Sequence, residues 1–228
     1  MRCAIMQPTY FPWAGYFNLM TKVDYFVFFD DSQFQKSSWH HRNKFLVNGE
    51  PRWVTVPVVR EFLGQLICNS KLDLQSNWRR KHYELIKHNY QGCQYFSCIE
   101  SLLEIILDCS ILSLSELNIS IIKEICNIIG LKIKFLCSSH LGVEGERTNK
   151  IIGICDLIGC NEYISPPGAR EYLEEDNFLV LTDIKLSFND FVPRSYEQKN
   201  RNSFQGYLSI VDVLANIGPS ETHRYISI

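Results

Sequence analysis

Short apolar runs that end at polar or conformationally restricted residues recur along the chain and predict buried strands. The first covers residues 2–6 and stops at Gln7, and the second covers residues 25–29 and stops at Asp30. Between them, residues 15–22 carry apolar side chains at helical spacing. A strand, a helix and a strand within about thirty residues predict a right-handed βαβ unit with parallel strands.

The remaining pattern predicts a helical segment followed by a return to alternating strands and helices. Residues 75–130 are predicted to be mainly helical, because Ser113 and Glu116 match a capping box before a helical apolar repeat that Gly130 ends. Further strands are predicted over residues 53–59, 131–137 and 162–165, and further helices over residues 150–158 and 207–216, the last with Gly218-Pro219 as its terminator. The sequence therefore predicts an α/β fold with a mainly parallel sheet, flanking helices and a helical insertion.

Length and composition favour one domain that binds a small molecule. With 228 residues and 46% hydrophobic content, the chain is expected to form a single α/β domain over residues 1–228. A formal net charge of -2 gives no global positive field for nucleic acid or anionic membrane. The apolar start is too short for a signal sequence and no window is long enough to span a bilayer, so we expect a cytoplasmic protein.

The nine cysteines are scattered, odd in number and mostly within apolar runs. They include no C-x-x-C pair and no Cys/His spacing of the zinc type. Scattered intracellular cysteines behave as small hydrophobic residues, so we expect reduced core thiols, no disulfides and no metal site.

The loop after the first strand is a candidate ligand rim. Gln7 and Tyr10 lie where the strand gives way to a loop that Pro8 and Pro12 restrict. We expect Gln7 and Tyr10 to contact a polar ligand. Phe11 and Trp13 either stack on that ligand or form an apolar plug over the sheet edge.

Residues 30–52 form a long polar excursion with several chemically able groups and a turn predicted at residues 48–51. If Asp30 and Asp31 share one pocket, their repulsion raises one pKa toward that of a general base; otherwise one of them caps the following turn. Arg42 and Lys44 suit a diphosphate, and His41 or its neighbour could accept a proton near neutral pH. The alternative is a solvated basic loop.

A second strand-to-loop transition follows Ser165. Gly168 permits close approach of the backbone to a ligand, and Tyr172 follows on the next helix. The G-x-x-x-x-G-K-[ST] phosphate-binding pattern is absent. Tyr196 and Gln198 are expected to close the site from the other side.

An ordered set of motifs across nearly the whole chain resembles the WbqC-like family. In order, these motifs are Met6-Gln7-Pro8-x-Tyr10-Phe11-Pro12-x-x-Gly15-Tyr16-Phe17, Asp30-Asp31-x-Gln33-Phe34, Trp39-x-x-Arg42-Asn43, Asn48-Gly49-x-x-x-Trp53-Val54-x-Val56-Pro57, Tyr163-Ile164-Ser165-x-x-Gly168-Ala169-x-x-Tyr172-Leu173 and Tyr196-x-Gln198. That family is associated with bacterial surface-polysaccharide gene clusters. The resemblance implies a role in attaching an acyl or aminoacyl group to an amino sugar, as its nucleotide-linked precursor.

A more distant likeness joins the first forty residues to pantothenate-synthetase-like nucleotidyltransferases. Those enzymes bind ATP phosphates with two histidines between the loop proline and the helix-opening glycine. The corresponding stretch here, residues 13–16, contains no histidine, which disfavours ATP with magnesium as a cofactor.

The leading hypothesis is therefore a transferase that forms an amide on a nucleotide-linked amino sugar of O-antigen or a related polysaccharide. The candidate bases are Asp31 and Asp30, with His41 in reserve. The sugar or diphosphate contacts are assigned to Arg42, Asn43 and Lys44, and Trp53 is a further substrate-binding residue. The residues expected to shape the pocket are Gln7, Tyr10, Gln33, Ser165, Gly168, Tyr172 and Gln198. The acyl donor is left open among a coenzyme A thioester, a carrier-protein thioester and an adenylate. The rival functions are nucleotidyl transfer and a non-catalytic binding module of the pathway, and the oligomeric state is not predicted.

Overall fold

A five-stranded parallel sheet forms the centre of the protein. The computed structural model describes residues 1–199, 201 and 203–228. The strands of this sheet are β1 (Arg2–Met6), β2 (Tyr25–Phe28), β5 (Lys134–Cys137), β6 (Glu162–Ser165) and β7 (Lys185–Phe188), in the spatial order β5-β2-β1-β6-β7. Every neighbouring pair is parallel, and Ile5 of β1 lies opposite Val27 of β2. The predicted α/β fold with a mainly parallel sheet is confirmed.

Helices cover both faces of the sheet, because two separate groups of apolar side chains are buried against it. The larger group joins β1 and β2 to the helical insertion and to the ends of the chain, whereas the smaller group joins β1 and β6 to the helices around β6. The helices are α1 (Ala14–Thr21), α2 (Trp78–Tyr90), α3 (Glu100–Leu107), α4 (Leu114–Ile128), α5 (Arg147–Leu157), α6 (Arg170–Glu175), α7 (Phe178–Leu181) and α8 (Ile210–Ile226).

The predicted capping box begins the longest helix of the insertion. The Ser113 side chain accepts a hydrogen bond from the backbone N–H of Glu116 at 3.1 Å, and the buried side chains of α4 repeat at helical spacing. Gly130 follows with a positive φ of 68°, a conformation that ends a helix at low steric cost in glycine. The helical part predicted for residues 75–130 is therefore present as α2, α3 and α4.

The loop prediction for residues 30–52 was wrong in its second half. An antiparallel hairpin, β3 (Arg42–Val47) and β4 (Glu50–Thr55), occupies it. Asn48 and Gly49 both have positive φ, which suits a two-residue hairpin turn and allows β4 to begin three residues earlier than predicted. β4 also ends before residue 59, because Pro57 cannot donate to a ladder.

The end of the chain also differs from the prediction. Gly218-Pro219 interrupts α8 rather than terminating the helical chain, because Gly218 has non-helical φ and ψ and Pro219 can occupy the first turn of the stretch that follows. The short elements β7 and α7 were not predicted, whereas α6 is the helix expected to carry Tyr172. None of the helices in the described part of the chain has the length and apolar character that crossing a membrane requires.

Candidate functional site

A cavity of about 440 Å³ opens at the carboxyl edge of the sheet, where β1 and β6 end. The chain runs from β1 outward to β2 and β5 on one side, and from β6 outward to β7 on the other. The strand order therefore reverses between β1 and β6. Open α/β sheets bind ligands in the crevice at such a reversal, and this volume lies in the range of small-molecule sites.

The loop after β1 divides into residues that line the cavity and residues that belong to the core. Gln7 and Trp13 line the cavity. Tyr10 and Phe11 are fully buried, and the Tyr10 hydroxyl lies 2.9 Å from Nδ1 of His82 on α2. Tyr10 therefore packs behind the cavity wall and does not stand at its rim.

Two buried asparagines hold this loop in place. The side-chain amide of Asn43 donates to the carbonyl oxygens of Tyr10 at 3.2 Å and Phe11 at 2.6 Å. The amide of Asn118, on α4, donates to the carbonyls of Pro8 at 3.0 Å and His40 at 2.7 Å. Asn43 also lines the cavity, but its amide nitrogen is already used for these contacts. Asn118 was not singled out in the sequence because its partners lie more than seventy residues away.

Asp30 and Asp31 connect the ends of β2 and β5 and are not among the cavity-lining residues. Asp30 accepts hydrogen bonds from the backbone N–H of Ser139 at 3.0 Å and from its hydroxyl at 2.7 Å. One oxygen of Asp31 accepts from the Ser138 hydroxyl at 2.5 Å, and the other lies 2.5 Å from Nζ of Lys150 on α5. Both carboxylates are thus occupied by donors from this chain.

Lys150 is a site-adjacent residue that the sequence analysis missed. Its side chain and that of Asp31 are each 14% exposed, so the ion pair is largely shielded from water. The next residue, Ile151, lines the cavity, and so does Phe29, which precedes the two aspartates. The pair therefore lies behind this part of the cavity wall. Lys150 lies on α5, far from Asp31 in the sequence, so the spacing of residues could not show that the two side chains form an ion pair.

The two neighbouring histidines have different environments. His41 is held between the Val56 carbonyl, to which its Nδ1–H donates at 2.9 Å, and the Ser37 N–H, which donates to its Nε2 at 3.1 Å. His40 lines the cavity, and its Nδ1 accepts from the Gln35 N–H at 3.4 Å. With Nδ1 as an acceptor, the neutral His40 ring carries its proton on Nε2.

Burial keeps both rings neutral at physiological pH. Burial, together with the charge that His41 would carry, lowers the pKa of His40 to about 4. Burial also lowers the pKa of His41, although its contact with the Val56 carbonyl partly opposes this effect. His40 is thus a neutral hydrogen-bond donor at the cavity, whereas both ring nitrogens of His41 are already used.

A cation–aromatic surface on the hairpin and the loop before it borders the cavity. We name it the rim patch, and it consists of Trp39, Arg42, Lys44 and Trp53. The Arg42 guanidinium lies 4.3 Å from the centre of the Trp53 ring, and the Lys44 ammonium lies 5.1 Å from it. The two tryptophan rings are 4.9 Å apart, both are more than 40% exposed, and Trp39 also lines the cavity. Nε of Arg42 is buried without a hydrogen-bond partner.

The remaining predicted residues fall into two groups. Gly168 and Tyr172, which follow β6, line the cavity, and Ser165 is fully buried at the end of β6, directly before this segment. Gln33 is exposed and its backbone pairs with Leu66, whereas Gln198 is buried and donates to the carboxylate of Asp212 at 2.7 Å. Gln33 and Gln198 are not among the lining residues.

The Gln198 contact explains the late Tyr196-x-Gln198 motif. Asp212, on α8, is fully buried and also accepts from the Tyr196 hydroxyl at 2.6 Å and the Tyr90 hydroxyl at 3.1 Å. Burial raises the pKa of Asp212, and these three donors oppose that rise. The motif therefore fastens the segment before α8 to the helix and does not face the cavity.

Comparison with known proteins identifies the family of this chain. The family model described as the WbqC-like protein family matches residues 7–224. The chain belongs to the WbqC-like protein family. The chain is also 32% identical over 220 residues to an uncharacterized protein of Mycobacterium tuberculosis, Rv1507c, a match that covers 95% of this chain and 94% of the relative. No solved structure matches the chain.

Proposed function

We propose that this WbqC-like protein transfers an acyl or aminoacyl group to the amine of a nucleotide-linked amino sugar in surface-polysaccharide biosynthesis. The observation that carries the proposal is the position of the rim patch beside the cavity. A cavity of about 440 Å³ has room for a sugar ring and its acyl group but leaves a nucleotide outside. The rim patch supplies the two contacts that such a nucleotide needs.

Arg42 and Lys44 suit a diphosphate, because a guanidinium can bind phosphate oxygens with two hydrogen bonds and an ammonium adds a point charge. The Arg42 guanidinium lies against the exposed Trp53 ring, so its charge is held at the rim of the cavity. The exposed face of Trp39 or Trp53 suits stacking of a base, a contact that tolerates any base. A diphosphate sugar could thus lie with its base on the tryptophans and its sugar in the cavity.

In the proposed reaction, the sugar amine attacks the carbonyl carbon of the acyl donor. A C–N bond forms, the bond to the thiol or adenylate leaving group breaks, and the amine loses a proton. His40 is the candidate to stabilise the developing oxyanion, because its neutral ring belongs to the cavity wall and keeps an N–H donor on Nε2. Gln7 and Ser38 are further polar groups of the wall that can orient the sugar.

Asp31, the candidate proton acceptor from the sequence, does not line the cavity, and Ser138 and Lys150 occupy its two oxygens. The proposal therefore does not assign the base to Asp31. His41, the reserve base, has neither ring nitrogen free. The acyl donor stays open among coenzyme A, a carrier protein and an adenylate.

Calorimetric titration with nucleotide-linked amino sugars tests the proposal. The probes are uridine and thymidine diphosphate amino sugars, the same sugars already N-acylated, and ATP with magnesium. Binding of an amino sugar by the wild type and its weakening in Arg42→Ala would support the proposal. Arg52→Ala is the matched control, because Arg52 is an exposed arginine on β4 outside the rim patch. Binding of ATP alone would favour nucleotidyl transfer, and binding of no probe would favour a scaffold protein.

A further inference from the structure

The amino-terminal edge of the sheet, opposite the cavity, carries a cluster of three cysteines. Cys3 lies near the start of β1, Cys155 in the last turns of α5, and Cys160 just before β6. Their Sγ atoms all lie within 4.8 Å of one another, and those of Cys3 and Cys155 are 3.5 Å apart. All nine cysteines lie among the described residues and are free thiols, and within that part of the chain only these three form such a group.

The backbone holds the three sulfur atoms together. Gly159, with a φ of 68°, ends α5 in a tight turn in which the Cys160 N–H donates to the Cys155 carbonyl at 2.8 Å. Cys3 pairs directly with Tyr163 in the ladder between β1 and β6. The cluster is thus assembled from the central strands and a helix end. The three cysteines are at most 5% exposed, so the surrounding core restricts the movement of their side chains.

We propose that Cys3, Cys155 and Cys160 bind one thiophilic d¹⁰ cation, Zn²⁺ or Cu⁺. A metal–sulfur distance of about 2.3 Å places three sulfurs of a trigonal site about 4.0 Å apart, which lies within the spread of the sulfur–sulfur distances here. Thiolates are soft ligands that select these two ions. The Glu162 carbonyl oxygen, 3.0 Å from Sγ of Cys160, is placed to serve as a fourth ligand for zinc.

The competing interpretation is that the thiols only fill an apolar core. Ile154 and Tyr163 belong to the same buried group, and a thiol packs there as a small hydrophobic residue. Three thiolates could not be buried there without a cation, because unpaired charge is too costly in such surroundings. The two interpretations therefore differ in one measurable property, the uptake of a metal with release of thiol protons.

The experiment uses the full chain without a histidine tag, reduced and stripped of metal. Zn²⁺ and Cu⁺ are titrated in separate arms against chromophoric chelators, and Co²⁺ is added to detect thiolate-to-metal charge-transfer absorption. We expect one equivalent per wild-type chain, and at least a roughly hundredfold loss of affinity in Cys3→Ala and in Cys160→Ala. Cys126→Ala, which removes a buried thiol on the other side of the sheet, should bind as the wild type does.

Tight uptake in either arm supports the proposal, and the arm in which it occurs identifies the ion. The proposal is overturned if Co²⁺ gives no charge-transfer band and the affinity for both ions is equal in the wild type and Cys3→Ala. If Cys3→Ala does not fold, as judged by circular dichroism, the Co²⁺ spectrum of the wild type decides alone.

Discussion

The stability of the protein should depend on pH through His82, the histidine behind the cavity wall. His82 is 8% exposed and its Nδ1 contacts the Tyr10 hydroxyl. Burial lowers the pKa of His82 to about 4 from the usual 6.5, although a contact with the Thr55 carbonyl partly opposes this. The unfolded chain therefore binds more protons than the folded chain between these two values. Stability is full above pH 6.5 and is lost as the pH falls toward 4.

The size of the effect follows from the shift. A lowering from 6.5 to about 4 removes about 2 kcal/mol of the free energy of unfolding at pH 5 relative to pH 8. His40 has a pKa lowered by a similar amount and should add a comparable loss. Paired carboxylates add their own loss at lower pH, so a single variant must isolate the histidine.

His82→Gln provides that isolation, because glutamine keeps an acceptor for the Tyr10 hydroxyl and does not titrate. Urea unfolding is measured at pH 8, 6.5 and 5 for both proteins. We expect the variant to be less stable at pH 8 by about 1–3 kcal/mol, because a buried ring is lost. Its stability should fall by about 2 kcal/mol less than that of the wild type between pH 8 and pH 5.

His88→Gln is the matched control, because His88 is an exposed histidine of the same helix. It should retain the pH dependence of the wild type. Equal falls in stability for the wild type and His82→Gln would refute the reasoning, since they would show that the folded and unfolded chains protonate His82 alike.

Three further predictions concern other contacts of the site and its support. Arg42→Ala should raise the Kd for a nucleotide-linked amino sugar about 10- to 150-fold with little change in the maximal rate, and an unchanged Kd in calorimetry would remove the diphosphate role. Lys150→Met should lower the free energy of unfolding by about 2–4 kcal/mol, because it leaves the Asp31 charge buried without a partner. Adding Asp31→Asn should recover part of this loss, and strictly additive losses in urea unfolding would contradict the ion pair. Asp212→Ala should cost about 2–4 kcal/mol, because three donors lose their acceptor, and a loss below about 1 kcal/mol would show that these donors find other partners.

The sequence predicted the sheet well because strand periodicity and the residues that end each run are local signals. β1 and β6 lie where the apolar runs placed them, and the loops after both strands line the cavity. The hairpin was missed because β3 carries charged side chains on one face, and its first residues therefore lack the apolar pattern that predicts a strand. Its turn residues, Asn48 and Gly49, were recognised, but the strand before them was not extended from that signal.

The roles of single polar residues could not be predicted in the same way. Tyr10 and Gln198 bear polar groups in distinctive motifs, yet their partners, His82 on α2 and Asp212 on α8, belong to other elements of the protein itself. A motif marks a residue that has a specific partner, but the motif does not say whether that partner is a ligand or the protein itself. Only the three-dimensional arrangement separates these two cases.

Applied to the whole site, that distinction narrows the candidate chemistry. Asn43, Asp30 and His41 are chemically able groups, but each is occupied by neighbours that hold the loops in place. The groups that remain include His40, a neutral ring in the cavity wall, and Arg42, whose guanidinium lies against the exposed Trp53 ring of the rim patch. A neutral donor in the cavity and fixed cations at its rim suit a substrate with a carbonyl at one end and phosphates at the other. Because the surrounding loops are already braced, such a substrate should bind without ordering them, and its affinity should depend mainly on the rim.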